Sequence, residues 1–138
     1  MLKRLTWIVL IALGSACGKL SDHPGCKTQI CTQIFATIGI NFTDNTGKPI
    51  GVIDFNAMNQ RTHLKLLRTI PQNEMLMIGY YVVADDGMKS QLSTEGDDIL
   101  ITATNPATHQ TKTVTLKVSG GCNCHVAKIS GPDTVAFD

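Results

Sequence analysis

The 138-residue chain is poor in aromatic side chains, carries no excess of either charge, and has no apolar run long enough to cross a bilayer. Aromatics make up 5% of it, and its single Trp, Trp7, lies near the amino terminus. Carbohydrate-binding faces lean on exposed aromatic rings, so the composition argues against a lectin. The formal charge is +1, with 12 basic against 11 acidic residues and no stripe of Lys or Arg. Nothing in that balance attracts a phosphate backbone, and nucleic acid is not expected as a partner. The main apolar run, Leu5 to Leu13, falls far below the roughly 20 residues that a mature spanning helix needs. Also absent are a Gly-x-Ser-x-Gly elbow, a phosphate loop, a His-Glu-x-x-His pair, a dinucleotide fingerprint and a Cys-x-x-Cys redox pair. No set of nucleophile, base and orienting group is legible, so no catalytic residue, cofactor or enzyme activity is expected.

What is present starts at the first residue. Met1-Leu2-Lys3-Arg4 is followed by the apolar stretch and then by Gly14-Ser15-Ala16. That order is the basic, apolar and small-residue plan of an export signal over residues 1–16, with Lys3 and Arg4 holding its start on the cytoplasmic side. The next residue is Cys17, and Leu13-Gly14-Ser15-Ala16-Cys17 resembles the lipobox of bacterial lipoproteins. It departs from that pattern at Gly14, where the family usually has Leu. The resemblance implies diacylation of the Cys17 thiol, cleavage before it, and a membrane partner reached through the lipid, since firm anchoring needs two or more acyl chains. In that family an Asp after the cysteine implies inner-membrane retention. Gly18 stands here, so the expected address is the cell envelope of a Gram-negative bacterium, at its outer membrane. Loss of residues 1–16 removes Lys3 and Arg4, leaving ten basic residues against 11 acidic ones, a formal charge of −1.

Residues 17–29, with Gly18, Ser21, Pro24 and Gly25, read as a lipidated tether, and residues 30–138 as one domain. Ile30, Thr32, Ile34, Ala36, Ile38, Ile40 and Phe42 share one parity, which predicts a long half-buried strand. The stretch from Asp44 to Pro49 carries turn residues. Further strands are expected over 50–57, with Ile53, Phe55 and Ala57 inward, and over 62–69, where alternation is less clean and Leu64-Lys65-Leu66-Leu67 reads alternatively as a helical turn. The apolar run 75–84 is expected to form a central strand covered on both faces. Residues 98–104 and 111–118 form the clearest hairpin, with Ile99, Ile101 and Ala103 facing Val114, Leu116 and Val118. Residues 125–130 and 134–137 complete the set. Seven or eight short strands, frequent turns and no convincing amphipathic helix predict an all-β fold, a single Ig-like or transthyretin-like β-sandwich. Ile38-Gly39-Ile40-Asn41-Phe42-Thr43-Asp44-Asn45-Thr46-Gly47-Lys48-Pro49-Ile50 resembles the opening hairpin of carboxypeptidase-regulatory-like domains, and Gly79-Tyr80-Tyr81-Val82-Val83 is similar to a later strand of that family. The end of the chain, Gly120 to Pro132, is similar to the tails of small envelope lipoproteins of uncharacterised function, and implies no activity.

With Cys17 lipidated, Cys26, Cys31, Cys122 and Cys124 remain. An even number in an exported chain predicts two disulfides. A bridge between Cys122 and Cys124 would close a strained ring, so cross-pairing with Cys26 and Cys31 is expected, the connectivity being left open. The alternative is a zinc or copper site built from Cys122, Cys124, His125 and the two earlier cysteines, although Cys-x-Cys spacing is shorter than zinc knuckles favour. Asp85-Asp86 and Glu95-Gly96-Asp97-Asp98 could supply calcium oxygens, but read first as turn formers, and no metal is expected. His23, His63 and His109 read as isolated surface histidines. The expectation is a lipid-anchored envelope protein with a binding, accessory or structural role, meeting an envelope protein partner through a sheet edge or loops. A metal-binding lipoprotein is the second reading.

Overall fold

The computed structural model describes residues 26–27, 29–66 and 77–138. The signal segment, Cys17, most of the tether with His23, and parts of the expected 62–69 and 75–84 strands lie outside these residues. Eight strands are described: β1 (Thr37–Thr43), β2 (Ile53–Asn59), β3 (Leu64–Lys65), β4 (Tyr80–Asp85), β5 (Asp97–Thr104), β6 (Thr111–Ser119), β7 (Ala127–Ser130) and β8 (Thr134–Ala136). They form two sheets, one of order β4-β1-β8 and one of order β3-β2-β5-β6-β7. A single six-residue 3-10 helix, Asp86–Gln91, joins the first sheet to the second. The fold is the expected β-sandwich.

The alternation of side chains along each strand sets which face is buried. In β5 the buried residues fall on one parity, Asp97, Ile99, Ile101 and Ala103. Opposite them Leu116 and Val118 of β6 are buried, and the two strands pair without a break from Asp97↔Val118 to Thr104↔Thr111. From the other sheet Ile40 and Phe42 of β1, Val83 of β4, Val135 of β8 and the adjoining Phe137 complete the core. Aromatic rings join the layers: Phe42 meets Phe55 and Tyr81 edge-on at 6.2 and 5.5 Å, and lies 6.0 Å from Phe137. The Tyr81 hydroxyl crosses to the segment before β2, accepting from the Val52 amide at 2.8 Å and donating to its carbonyl at 3.0 Å. Thus Phe42, Phe55, Tyr81 and Phe137 form an aromatic cluster in the core.

The turn after β1 is made by Asp44. Its Oδ1 accepts from the Thr46 amide, the Thr46 hydroxyl and the Lys48 amide at 2.9, 2.7 and 3.0 Å. The Thr46 hydroxyl and Lys48 amide hold this carboxyl below the usual carboxylate range. Gly47 supplies the positive φ, 86°, that the turn requires.

Three expectations are corrected. β1 begins at Thr37, not Ile30, and Ile30 and Ile34 stand exposed despite their parity. Parity alone could not see that residues 30–35 have no neighbouring strand to pair with among the described residues. Ile53 is exposed, because a register shift lies between Ile53 and Asn56 and Asp54 takes a φ of 54°; the bulge resets the face, leaving Phe55 and Ala57 inward. Among the described residues β4 is an edge strand rather than a central one. Its consecutive Val83 and Ala84 are both buried, so both faces are covered at that end, yet β1 is its neighbour on one side only.

Candidate functional site

The described chemistry concentrates where residues 26–36 meet the loop between β6 and β7. That loop is fixed first. Gly120 donates its amide to the Ser93 carbonyl at 2.9 Å, and Gly121 to that of Lys89 at 2.8 Å. The Cys122 amide reaches the Thr94 hydroxyl at 3.1 Å, and the Asn123 side chain the Thr94 carbonyl at 2.9 Å. Cys122 and Cys124 are therefore presented from a platform rather than from a loose loop.

The described residues from Cys26 to Ala36 cross this platform as a strap. Cys26 is bonded to Cys122 and Cys31 to Cys124, each pair with Cα atoms 5.3 Å apart. This is the cross-pairing anticipated from the ring strain of a Cys122–Cys124 bridge, and the structure supplies the connectivity that the sequence left open. Between the two bridges the Gln29 side chain donates to the Cys122 carbonyl.

Beyond Cys31 a polar relay takes over. The Thr32 hydroxyl lies 2.8 Å from His125 Nε2, and His125 Nδ1 lies 2.7 Å from Asp86 Oδ2. The same Oδ2 accepts from the Ala36 amide at 2.9 Å, and Oδ1 accepts from the Val126 amide at 2.8 Å. In return the Asp86 amide donates to the Ala36 carbonyl at 3.1 Å. Burial pushes the Asp86 carboxyl up, but the Ala36 amide, His125 and the Val126 amide outweigh it and hold the group below its usual range. Asp86 thus ties together the end of the strap, the start of the 3-10 helix and the entry to β7.

A hydroxyl on one imidazole nitrogen and a carboxylate on the other is the arrangement that activates a nucleophile. No local pattern announces it, because the three residues lie far apart in the chain. Around it, however, the surface is shallow. Thr32 is exposed, and the two described cavities, of about 380 and 350 Å³, are lined by Arg61, Leu64, Lys65 and Ser90 in one case and by Lys27, Gln29, Thr94 and Asn123 in the other. Neither is bordered by Thr32 or His125. The relay's evident effect is to hold the strap.

The remaining candidates have structural partners. The four sulfurs of the alternative metal cluster are paired with one another, which removes their thiolates, and the described residues contain no group of three His, Cys, Asp or Glu side chains arranged to hold a metal ion. Asp85 caps the 3-10 helix, accepting from the Gly87 amide at 2.9 Å. Buried Asp97 receives Arg61 through two bonds of 2.7 and 2.8 Å, the Asn59 amide group at 2.7 Å and the Ser93 amide at 3.0 Å. Asp98 and Glu95 are exposed. The acidic pairs therefore act as turn and packing residues. His63 and His109 are exposed in positive-φ turns, with φ of 57° and 58°. Among the described residues no helix is long and apolar enough to cross a membrane.

The chain matches no protein-family model, no curated protein and no solved structure. Its function has to be read from its own residues.

Proposed function

We propose that this chain is the precursor of a lipid-anchored cell-envelope protein, residing at the outer membrane, whose mature β-sandwich has a non-catalytic binding or structural role. The observation that carries the proposal is the order Leu13-Gly14-Ser15-Ala16-Cys17 behind a basic and then an apolar segment. Two disulfides support an exported destination, since such bonds persist in oxidising compartments. The Asp44–Pro49 turn and the strand after Gly79 support the likeness to carboxypeptidase-regulatory-like sandwiches. A contact surface would then come from exposed loops or sheet edges, meeting an envelope protein partner.

Two measurements test the anchor. Mass spectrometry of the envelope form should find the mature chain beginning at Cys17 with acyl groups on it, and Cys17→Ala should move the protein to the soluble fraction. A mature chain beginning elsewhere, or free of acyl groups, overturns the anchor. The non-catalytic reading is tested by a fluorophosphonate: Thr32 should gain no adduct. A stoichiometric adduct on Thr32 that disappears in His125→Gln would make the relay an acyl-transfer site instead.

A further inference from the structure

We propose that the strap rests its exposed Ile30, Ile34 and Phe35 on the lipid surface that holds Cys17, so that the domain lies against the membrane instead of swinging from it. This rests on the anchoring proposed above and adds an orientation to it.

Three features converge on residues 30–35. The first is exposure: Ile30 is fully exposed, Ile34 is 69% exposed and Phe35 is 59% exposed, within six consecutive residues. Scattered apolar residues on a surface are ordinary, but three large ones in so short a stretch leave considerable apolar area in water. The second is charge. No charged residue occurs between Lys27 and Asp44, so no charge around the three apolar side chains would have to be desolvated at the membrane interface. The third is rigidity. The strap cannot fold its apolar side chains back onto the sandwich, because Cys26 and Cys31 are bonded to the platform and Thr32 and Ala36 are held through His125 and Asp86. Their exposure is built into the fold.

Chain length decides what covers them. Cys26 is the first clamped residue after Cys17, and nine residues span at most about 30 Å. That is close to the width of a domain of this size, roughly twice a radius of gyration of ~13 Å. The strap is therefore the part of the domain that the tether delivers first to the bilayer. Ile53, Leu64, Met77, Ile78 and Ile129 are also exposed, but none belongs to the segment that continues directly from the tether. Tethering also raises the local concentration of membrane to the millimolar range, so three modest apolar contacts are enough to be occupied.

The mature protein holds no Trp, because Trp7 leaves with the signal, so one introduced Trp reports on its own site. Phe35→Trp and Ile34→Trp would be made in the full chain. Each acylated protein would be purified and reconstituted into vesicles of phosphatidylethanolamine and phosphatidylglycerol, part of the latter brominated on its acyl chains. Thr113→Trp, at an exposed position on β6, is the reference. A ring resting ~5–10 Å into the interface should lose about half its emission to the bromines and shift to the blue, while the reference keeps its emission. Equal emission at positions 35 and 113 in acylated, vesicle-bound protein overturns the orientation and leaves the anchor standing. Protein whose mass shows no acyl group overturns the anchor, and the orientation with it. Because positions 34 and 35 are exposed, neither variant disturbs the core, and near-native urea midpoints would verify that.

Discussion

Asp97 is the residue on which most of the buried polar structure depends. Its carboxylate is almost wholly buried and takes bonds from Arg61, Asn59 and Ser93, while the fully buried Asn59 also donates to the Gln91 carbonyl at 3.1 Å. The Arg61 guanidinium is the largest influence on it, working against burial and helped by Ser93 and Asn59; together they hold the carboxyl far below its ordinary range. A group whose folded pKa is depressed adds stability above its unfolded pKa, here about 3.9, and loses it as pH falls toward the folded value. Asp86 is shifted in the same direction and adds to the same acid limb. Arg61 is half exposed, so its share is screened, and the buried Asn59 and Ser93 bonds count for more. Asp97→Asn should lower stability at neutral pH by about 2–4 kcal/mol, because one amide oxygen cannot serve all three donors. Urea midpoints measured from pH 7 down to pH 2 should fall less steeply in the variant than in the parent chain, and parallel curves would show that Asp97 is not the titrating support.

At the scale of elements, regular alternation was readable and its interruptions were not. β5 and β6 could be written down from Ile99, Ile101, Ala103, Leu116 and Val118, because both strands are interior to their sheet and one face of each is buried. The turn at Asp44 was equally plain, since Asp, Gly and Pro act there through local chemistry. The bulge at Asp54 was hidden, because Ile53 carries the apolar signature of an inward residue and only pairing with β5 shows the slip. β4 was mistaken for a central strand because an apolar run reports covering on two faces, not neighbours on two edges. At the site, the sequence identified the cysteines and their cross-pairing by arithmetic and ring strain. It could not find Asp86, His125 and Thr32 as a unit, since a contact between residues so distant in the chain leaves no local pattern. Ile30 and Ile34 share the parity of Ile40 and Phe42, yet they stand exposed on a clamped strap, which parity cannot show.

For the whole molecule, the two disulfides join sites 96 and 93 residues apart and so close almost the entire domain into one loop. Either bond alone supplies the larger part of the restriction that the pair places on the unfolded chain. In the chain-entropy account a loop of that length is worth about 4.7 kcal/mol. Once one bond exists, the other closes only the ring running from Cys26 to Cys31 and from Cys122 to Cys124, about seven residues, worth about 2.4 kcal/mol. Replacing Cys26 and Cys122 together by Ser, or Cys31 and Cys124 together, should therefore cost about 2.4 kcal/mol each, whereas replacing all four should cost about 7 kcal/mol, more than the two losses combined. Urea unfolding of the three variants measures this, and simple additivity would refute it. The core itself should survive in the single-bridge variants, since among the described residues every fully buried apolar residue lies at Ile40 or later. Set against the ~5–15 kcal/mol that stabilises most domains, the larger loss leaves the bridge-free chain near the margin of folding. In a reducing cytosol the proposed precursor would be in that condition, open enough to be threaded out, and it would gain its full stability only where the cysteines can pair.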